Sequence, residues 1–372
     1  MIKNSIDFSL KKIQQNLETF SELVPPAASE NLVYQPEGNT DWTASFWVGQ
    51  LFLAKEIDGS DRYDQVIENQ LKSFETRLKN KVDLETHDIG FLYILSTIAD
   101  YKLNRTPNSK LLAIQAADLL MERYNEKAGI IQAWGNLEDD NENGRIIIDC
   151  LMNLPLLYFA SNETGDESYR DAAYRHAKQT QKYIVRDNFT TYHSYFFDTQ
   201  TGEAKFGKTV QGYSDDSCWA RGQAWGIYGF TLSYLYTGDV SFIETAKHLA
   251  DYFISHLPAD NVPFWDLIFN DGDDQERDSS SAAIAICGLL ELAKQLPLSD
   301  SKRESYEKKA YEILQSLSEN YTTKNVPYSN GLLIHGVYNK NGNVGVDECM
   351  SWGDYFYMES LTRFNQVWNR YW

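Results

Sequence analysis

Two aspartates stand where a carboxylate is costly. Asp149 is the one acid in Gly144-Arg145-Ile146-Ile147-Ile148-Asp149-Cys150-Leu151-Met152-Asn153-Leu154-Pro155-Leu156-Leu157, a run that otherwise reads as the middle of a buried helix. Charge among Ile and Leu is disfavoured unless it is paired or used, and burial raises an acid's pKa. A carboxyl that keeps its proton at neutral pH is what a general acid needs. The competing reading is an acid in the first turn of a helix, held by the helix dipole. Asp88, in Leu84-Glu85-Thr86-His87-Asp88-Ile89-Gly90-Phe91, sits just inside a second apolar helix and admits the same two readings. If both face one pocket, like charge pushes one pKa up and leaves the other group ionised.

The starts of the most apolar segments carry similar chemistry. They read Thr40-Asp41-Trp42, Thr86-His87-Asp88, Arg145 to Asp149, Cys218-Trp219-Ala220-Arg221-Gly222-Gln223-Ala224-Trp225, Arg277-Asp278-Ser279-Ser280-Ser281 and Ser351-Trp352-Gly353-Asp354-Tyr355. Helix capping explains a single Asp or Ser, and Asp41 and Asp278 are expected to be mainly caps. It does not explain the Trp, Arg and His beside them. Indole faces next to acids and guanidinium groups hold sugar rings, and Arg221 suits a carboxylate. His193, in Tyr192-His193-Ser194-Tyr195-Phe196, lies in a polar aromatic loop and reads equally as structural or as part of a pocket. His176, His248 and His256 fall on more polar helices and are expected to face solvent.

Periodicity gives about twelve helices. A half-polar set lies near residues 5–22, 61–80, 107–124, 168–186, 240–257 and 301–320. A set apolar nearly all round lies near 41–57, 87–103, 145–163, 217–236, 279–294 and 351–368. Asp58-Gly59-Ser60, Thr164-Gly165-Asp166 and Thr237-Gly238-Asp239 repeat one punctuation, a Gly C-cap followed by a polar N-cap. Helices apolar on every side are buried. The alternation predicts an all-α fold, an (α/α)6 barrel of six inner and six outer helices. No linker divides residues 1–372, so one catalytic domain is expected. The segments 187–216 and 258–278 read as long loops or short hairpins at the barrel mouth.

Composition narrows the function. The 372 residues carry a formal charge of −19, against a nucleic-acid or anionic-membrane partner. An anionic substrate would need a local basic cluster. Nine Trp, 24 Tyr and 18 Phe exceed what a bare scaffold uses. Cys150, Cys218, Cys287 and Cys349 form no Cys-x-x-Cys and read as small buried apolar side chains rather than disulfides; a zinc site built from distant Cys and His is the disfavoured reading. No signal-like leader and no stretch of about 20 apolar residues is seen, so a cytoplasmic protein is expected.

Asn39-Thr40-Asp41-Trp42-Thr43, His87 to Tyr93, Gly129-Ile130-Ile131-Gln132-Ala133-Trp134-Gly135, Gly144 to Leu154, Arg221 to Gly229 and Trp352-Gly353-Asp354-Tyr355 together resemble glycoside hydrolase family 88, the unsaturated glucuronyl hydrolases. The resemblance spans nearly the whole chain and implies an (α/α)6 barrel. It implies release of 4,5-unsaturated uronic acid from the non-reducing end of lyase-generated oligosaccharides, by hydration of the C4=C5 vinyl ether. By position, Asp149 matches the acid/base residue and Asp88 its companion. His193, Gln211 and Arg221 match the uronate subsite, and Trp42, Trp134, Trp219, Trp225 and Tyr338 the aromatic walls; His87 is grouped with these substrate-binding residues. No metal or organic cofactor is implied, and a monomer or weak homo-oligomer is expected. Val210 stands where relatives favouring sulfated glycosaminoglycans carry a basic residue, and Lys340 is the one Lys in Val337 to Asn343. The substrates expected are therefore unsulfated or lightly sulfated. The alternatives are an unsaturated rhamnogalacturonyl hydrolase acting on pectin fragments, a non-catalytic sugar-binding barrel, and an epimerase or zinc-dependent cyclase of the same shape.

Overall fold

The computed structural model describes residues 1–137 and 144–372. Among them, 12 helical units alternate between an outer and an inner layer. In chain order, α1 (Ile2–Asn16) is outer, α2 (Ser45–Asp58) inner and α3 (Asp64–Asn80) outer. The next inner unit joins α4 (Ile89–Tyr93), a π-helical stretch Ile94–Ile98 and α5 (Ala99–Asn104). Then come α6 (Pro107–Met121) outside, α7 (Cys150–Asn153) with α8 (Pro155–Thr164) inside, α9 (Glu167–Gln179) outside and α10 (Ala220–Thr237) inside. The last four are α11 (Val240–Ser255), α12 (Ser279–Gln295), α13 (Ser301–Asn320) and α14 (Ser351–Asn365), again outer then inner.

The inner helices close a ring: α2 packs on α4, α4 on α7, α7 on α10, α10 on α12, α12 on α14 and α14 back on α2. This is the all-α (α/α)6 barrel. The two layers follow from side-chain distribution. Every residue of α2 from Ser45 to Ala54 is buried, which requires neighbours on all sides. In α3 only a stripe, including Val66, Ile67, Phe74 and Leu78, is buried. The repeated punctuation forms as expected: Gly59, Gly165 and Gly238 are left-handed C-caps with φ of 66°, 78° and 72°. Ser60, Asp166 and Asp239 then accept the backbone N–H two residues on. The four cysteines are buried and free. Among the described residues, no helix is long and apolar enough to cross a membrane.

Among the described residues, three small antiparallel sheets decorate this frame. Tyr124–Asn125 (β1) pairs with Ile130–Ile131 (β2). Arg145–Ile147 (β3), Ser194–Phe197 (β4) and Ala204–Lys208 (β5) form a sheet in that order. Gly336–Asn339 (β6) pairs with Val344–Glu348 (β7).

The run around Asp149 is not the middle of a helix. Arg145 to Ile147 is strand β3, and α7 starts only at Cys150. Three consecutive Ile favour the extended backbone, and β4 supplies its hydrogen-bonding edge. Burial of all three β3 residues erased the alternation that marks a strand. His176 is also corrected: it is fully buried, and its Nδ1 accepts the Ile131 N–H at 2.8 Å. His248 is exposed and His256 half-buried.

One close approach ties the ring to what lies above it. Gly90 packs against Asn153 of α7 so tightly that a Cβ would sit 2.3 Å from its Cα. Backbone cannot give way there as a flexible side-chain tip could. Gly90→Ala should therefore destabilise the fold by about 2 kcal/mol or more, the usual scale of overpacking, measured by denaturant titration. Unchanged stability would show that α4 and α7 are free to separate.

Candidate active site

At the end of the barrel where the inner helices begin, a cavity of about 270 Å³ opens. Asp88, Asp149, Trp42, Trp134, His193, Gln211, Trp219, Arg221, Trp225 and Tyr338 line it, together with Thr40, Asp41 and Thr86. His87 differs from the other predicted site residues. It is fully buried, does not reach the cavity surface, and lies behind the two acids.

Each acid occupies the residue before a helix, Asp88 before α4 and Asp149 before α7, yet neither side chain caps its helix. Both stand at a helix N-terminus, where the dipole acts on a carboxylate, but neither is used as a side-chain cap. Asp88 is held by the Thr86 hydroxyl, which donates at 2.8 Å, and by the Asn153 amide at 3.5 Å. Asn153 also donates to the Asp149 carbonyl and accepts the Phe91 N–H, so one amide registers α4 against α7. Asp149 has no such support. Its Oδ1 has no hydrogen-bond partner among the described residues, and its side chain is 18% exposed at the cavity.

Electrostatics separate the two. Burial, then the neighbouring Asp88 charge, pushes Asp149 well above the ordinary carboxylate range, with Arg221 and Arg145 opposing. Burial also raises Asp88, to about 6, but its bonds from Thr86 and Asn153 and the charges of Arg123 and Arg77 hold it down. Asp149 therefore keeps the proton and Asp88 ionises first.

His87 Nε2 lies 3.4 Å from Asp88 Oδ1 and 3.4 Å from Asp149 Oδ1. The three donor atoms lie within 4.8 Å of one another, the grouping of a potential metal site. The ring does not fit that use. Both ring nitrogens are buried without a hydrogen-bonding partner among the described residues, but only Nε2 faces acceptors, the two carboxylates 3.4 Å away. A neutral imidazole here carries its proton on Nε2. Ligation through Nε2 would move the proton to Nδ1 and strand a buried donor, at about 1–3 kcal/mol. Burial, with Arg123 and Arg145 nearby, lowers the pKa of His87 to about 3, so the ring is neutral.

The walls are aromatic. Trp42 lies 5.5 Å from Phe91 and stacks on Trp352 at 5.3 Å, and Phe91 meets Trp225 at 5.4 Å. Trp42 Nε1 donates to the Tyr338 hydroxyl at 3.1 Å. Arg221 is sandwiched between Trp219 and Trp352, with 4.5 and 4.8 Å to the ring centres. It donates to Gln211 Oε1 and to the carbonyls of Val337 and Tyr338, with Asp278 Oδ2 3.8 Å away. Arg221 therefore braces the wall and presents a fixed positive charge. Asp278 caps α12 as expected, accepting the Ser280 N–H. Asp41 accepts the Thr43 N–H in a turn ahead of α2. Thr86 escaped the sequence reading because Thr is common at helix starts for capping alone, and Asn153 because it lay inside an apolar run read as continuous helix.

The comparisons agree with this geometry. The model of Glycosyl Hydrolase Family 88 matches residues 18–367. The unsaturated chondroitin disaccharide hydrolase of Streptococcus pyogenes serotype M1 is 45% identical over 371 residues, covering 100% of this chain and 93% of that relative. The crystal structure of unsaturated glucuronyl hydrolase from Streptococcus agalactiae superposes with a TM-score of 0.97 at 44% identity, covering 100% of this chain and 93% of the other. A mutant of that enzyme, complexed with dGlcA-GalNAc6S, matches with a TM-score of 0.89 at 41% identity over the same shares. Barrel, cavity and full-length similarity lead to one conclusion: this chain belongs to Glycosyl Hydrolase Family 88.

Proposed function

We propose that the chain hydrates the C4=C5 vinyl ether of a 4,5-unsaturated uronic acid at the non-reducing end of lyase-generated glycosaminoglycan-type oligosaccharides, disaccharides first. The observation that carries this reading is the unequal acid pair, with Asp149 raised and open to the cavity and Asp88 hydrogen-bonded beside it. Asp149 donates its proton to C4. Positive charge then develops at C5 and the ring oxygen, where ionised Asp88 stabilises it. The Asp149 carboxylate takes a proton from the water that adds to C5. The resulting hemiketal opens and the neighbouring sugar leaves. The acid oxygens lie within 4.8 Å of each other, closer than the roughly 6.5–9.5 Å of an inverting pair that seats water between its carboxyls. That spacing favours this route over ordinary inversion at the anomeric carbon.

In this reading Trp42, Trp134, Trp219, Trp225 and Tyr338 pack the sugar faces, while Gln211, His193 and Arg221 meet the polar edge and carboxylate. His87 stands behind the acids rather than against substrate. The Arg221 charge is the local attraction an anionic sugar needs in a chain of −19. Val210, half-exposed beside Gln211, offers no charge to a sulfate, and Lys340 is held by Glu276 at 2.5 Å. Unsulfated or lightly sulfated chondroitin- and hyaluronan-type disaccharides are therefore the preferred substrates. The buried core runs from Ile6 to Trp372, in support of a single catalytic domain. Four buried free cysteines fit a reducing, cytoplasmic compartment; action without a cofactor, as a monomer or weak homo-oligomer, is part of the same proposal.

Mixing the protein with an unsulfated Δ4,5-uronyl disaccharide should bleach the ultraviolet absorbance of the conjugated enol ether. Stable absorbance, with turnover instead of an unsaturated rhamnogalacturonyl disaccharide, would transfer the protein to the pectin reading. Asp149→Asn should lose about 100-fold or more in kcat, the scale of general acid catalysis. The same variant should melt higher than wild type at pH 8, with the difference shrinking toward pH 5. A carboxyl whose pKa is raised by folding contributes stability at low pH that is lost as pH rises through the folded value, and the amide is spared that loss. Near-normal kcat in Asp149→Asn would remove it from the acid role. The kcat/KM profile should be bell-shaped, falling at low pH as Asp88 protonates near 6 and at high pH as Asp149 ionises. A flat profile across that range would contradict the paired roles.

A further inference from the structure

The contacts around His193 determine which of its ring nitrogens carries the proton. We infer that Arg145 and Ser194 form a positioning chain that fixes His193 as an Nε2–H donor aimed into the cavity. The inference rests on the reading of that cavity as the substrate site. A guanidinium can only donate, so Arg145 Nε donates to Ser194 Oγ at 3.2 Å. Ser194 Oγ lies 2.7 Å from His193 Nδ1. Ser194 is fully buried, and among the described residues these two contacts are the side-chain hydrogen bonds of its hydroxyl. Were Nδ1 protonated, the hydroxyl would accept from both neighbours and its own proton would point at no acceptor. A buried unpaired hydroxyl proton costs about as much as a lost hydrogen bond. The chain therefore runs in one direction, from Arg145 to Ser194 to His193 Nδ1. The ring's one N–H is left on Nε2, which is buried and has no hydrogen-bonding partner among the described residues, in a residue that lines the cavity.

Two further contacts make the donor rigid. His193 O accepts the Ile148 N–H at 3.1 Å, tying His193 to the residue before Asp149. Its ring packs on Trp219 with centres 5.0 Å apart. Burial, with Arg145 and Arg221 nearby, holds its pKa well below the ordinary value, so the ring is neutral and presents a single donor. The Arg145 guanidinium also lies 4.2 Å from the Trp134 ring centre, so the same side chain steadies a cavity wall. A fixed donor recognises an acceptor, either a hydroxyl or a carboxylate oxygen of the uronyl ring. It penalises a sugar that presents a donor there instead. Arg145 and Ser194 act through His193 and are positioning residues.

The test is ¹H–¹⁵N NMR of the full chain labelled with ¹⁵N-histidine, with the His193 signals assigned by their loss in His193→Gln. Wild type should show a pyrrole-type Nε2 and a pyridine-type Nδ1 without substrate. The opposite pattern would overturn the inference with no variant needed. Ser194→Ala should populate both tautomers and lower kcat/KM about tenfold, the worth of one hydrogen bond. Ser194→Thr, which keeps the hydroxyl, should restore the wild-type tautomer. An unchanged tautomer in Ser194→Ala would show that Ser194 does not set it. Mixed tautomers with unchanged kcat/KM would leave the chain standing and remove His193 from substrate recognition.

Discussion

Everything at this site depends on keeping two carboxyl groups together where water is scarce. Oxygens of Asp88 and Asp149 lie within 4.8 Å, so two full charges would repel by about 3 kcal/mol or more at an effective dielectric near 20. Desolvation adds to that in the same direction. The pair relieves the repulsion by holding one proton, and its surroundings decide where. Asp88 has a hydroxyl and an amide turned toward it. Asp149 has neither, and its Oδ1 is unpaired. The proton goes to the acid with less support, which is also the one open to the cavity. Neutral His87, with Nε2 3.4 Å from an oxygen of each, stands between the two without adding charge.

The barrel maintains this arrangement with short-range devices. Gly90 lets α4 approach α7 until Asn153 can bond to both, so the distance between the acids is set by backbone contact. Asp149 stands in the turn between strand β3 and α7 instead of riding within a helix. The β3–β4 pairing places it beside His193, and the acid and the polar edge of the cavity move as one unit. On the opposite side Arg221, pressed between two indoles and bonded to Val337 and Tyr338, fixes the wall that carries β6. Each of these contacts removes a degree of freedom before substrate arrives, which is how preorganised sites stabilise developing charge.

Much of this was legible in the residues. The Gly caps with their polar followers, and the contrast between striped and wholly apolar helices, defined the two layers because capping and burial act locally. Acids with Trp and Arg at the starts of the apolar segments pointed to one end of a barrel. The resemblance to the family supplied Gln211, Trp134 and Tyr338, which no local pattern distinguishes. Other features were not legible. Arg145 to Ile147 is buried throughout, so it shows neither the helical nor the strand period, and only the partner strand β4 decides it. His87 stands next to Asp88 in sequence, but the turn into α4 sends its ring inward while the acid faces the cavity. His176 lies on an outer helix yet serves as an acceptor for β2, a long-range pairing invisible along the chain. Ser194 and Asn153 are small polar residues whose importance lies only in what they face.

The most direct measurement of the central claim is neutron diffraction from deuterated crystals near pH 7, which locates the carboxyl deuteron itself. Nuclear density on Asp149, with none on Asp88, is the result this account predicts. Density on Asp88 alone, or on neither acid, would contradict it.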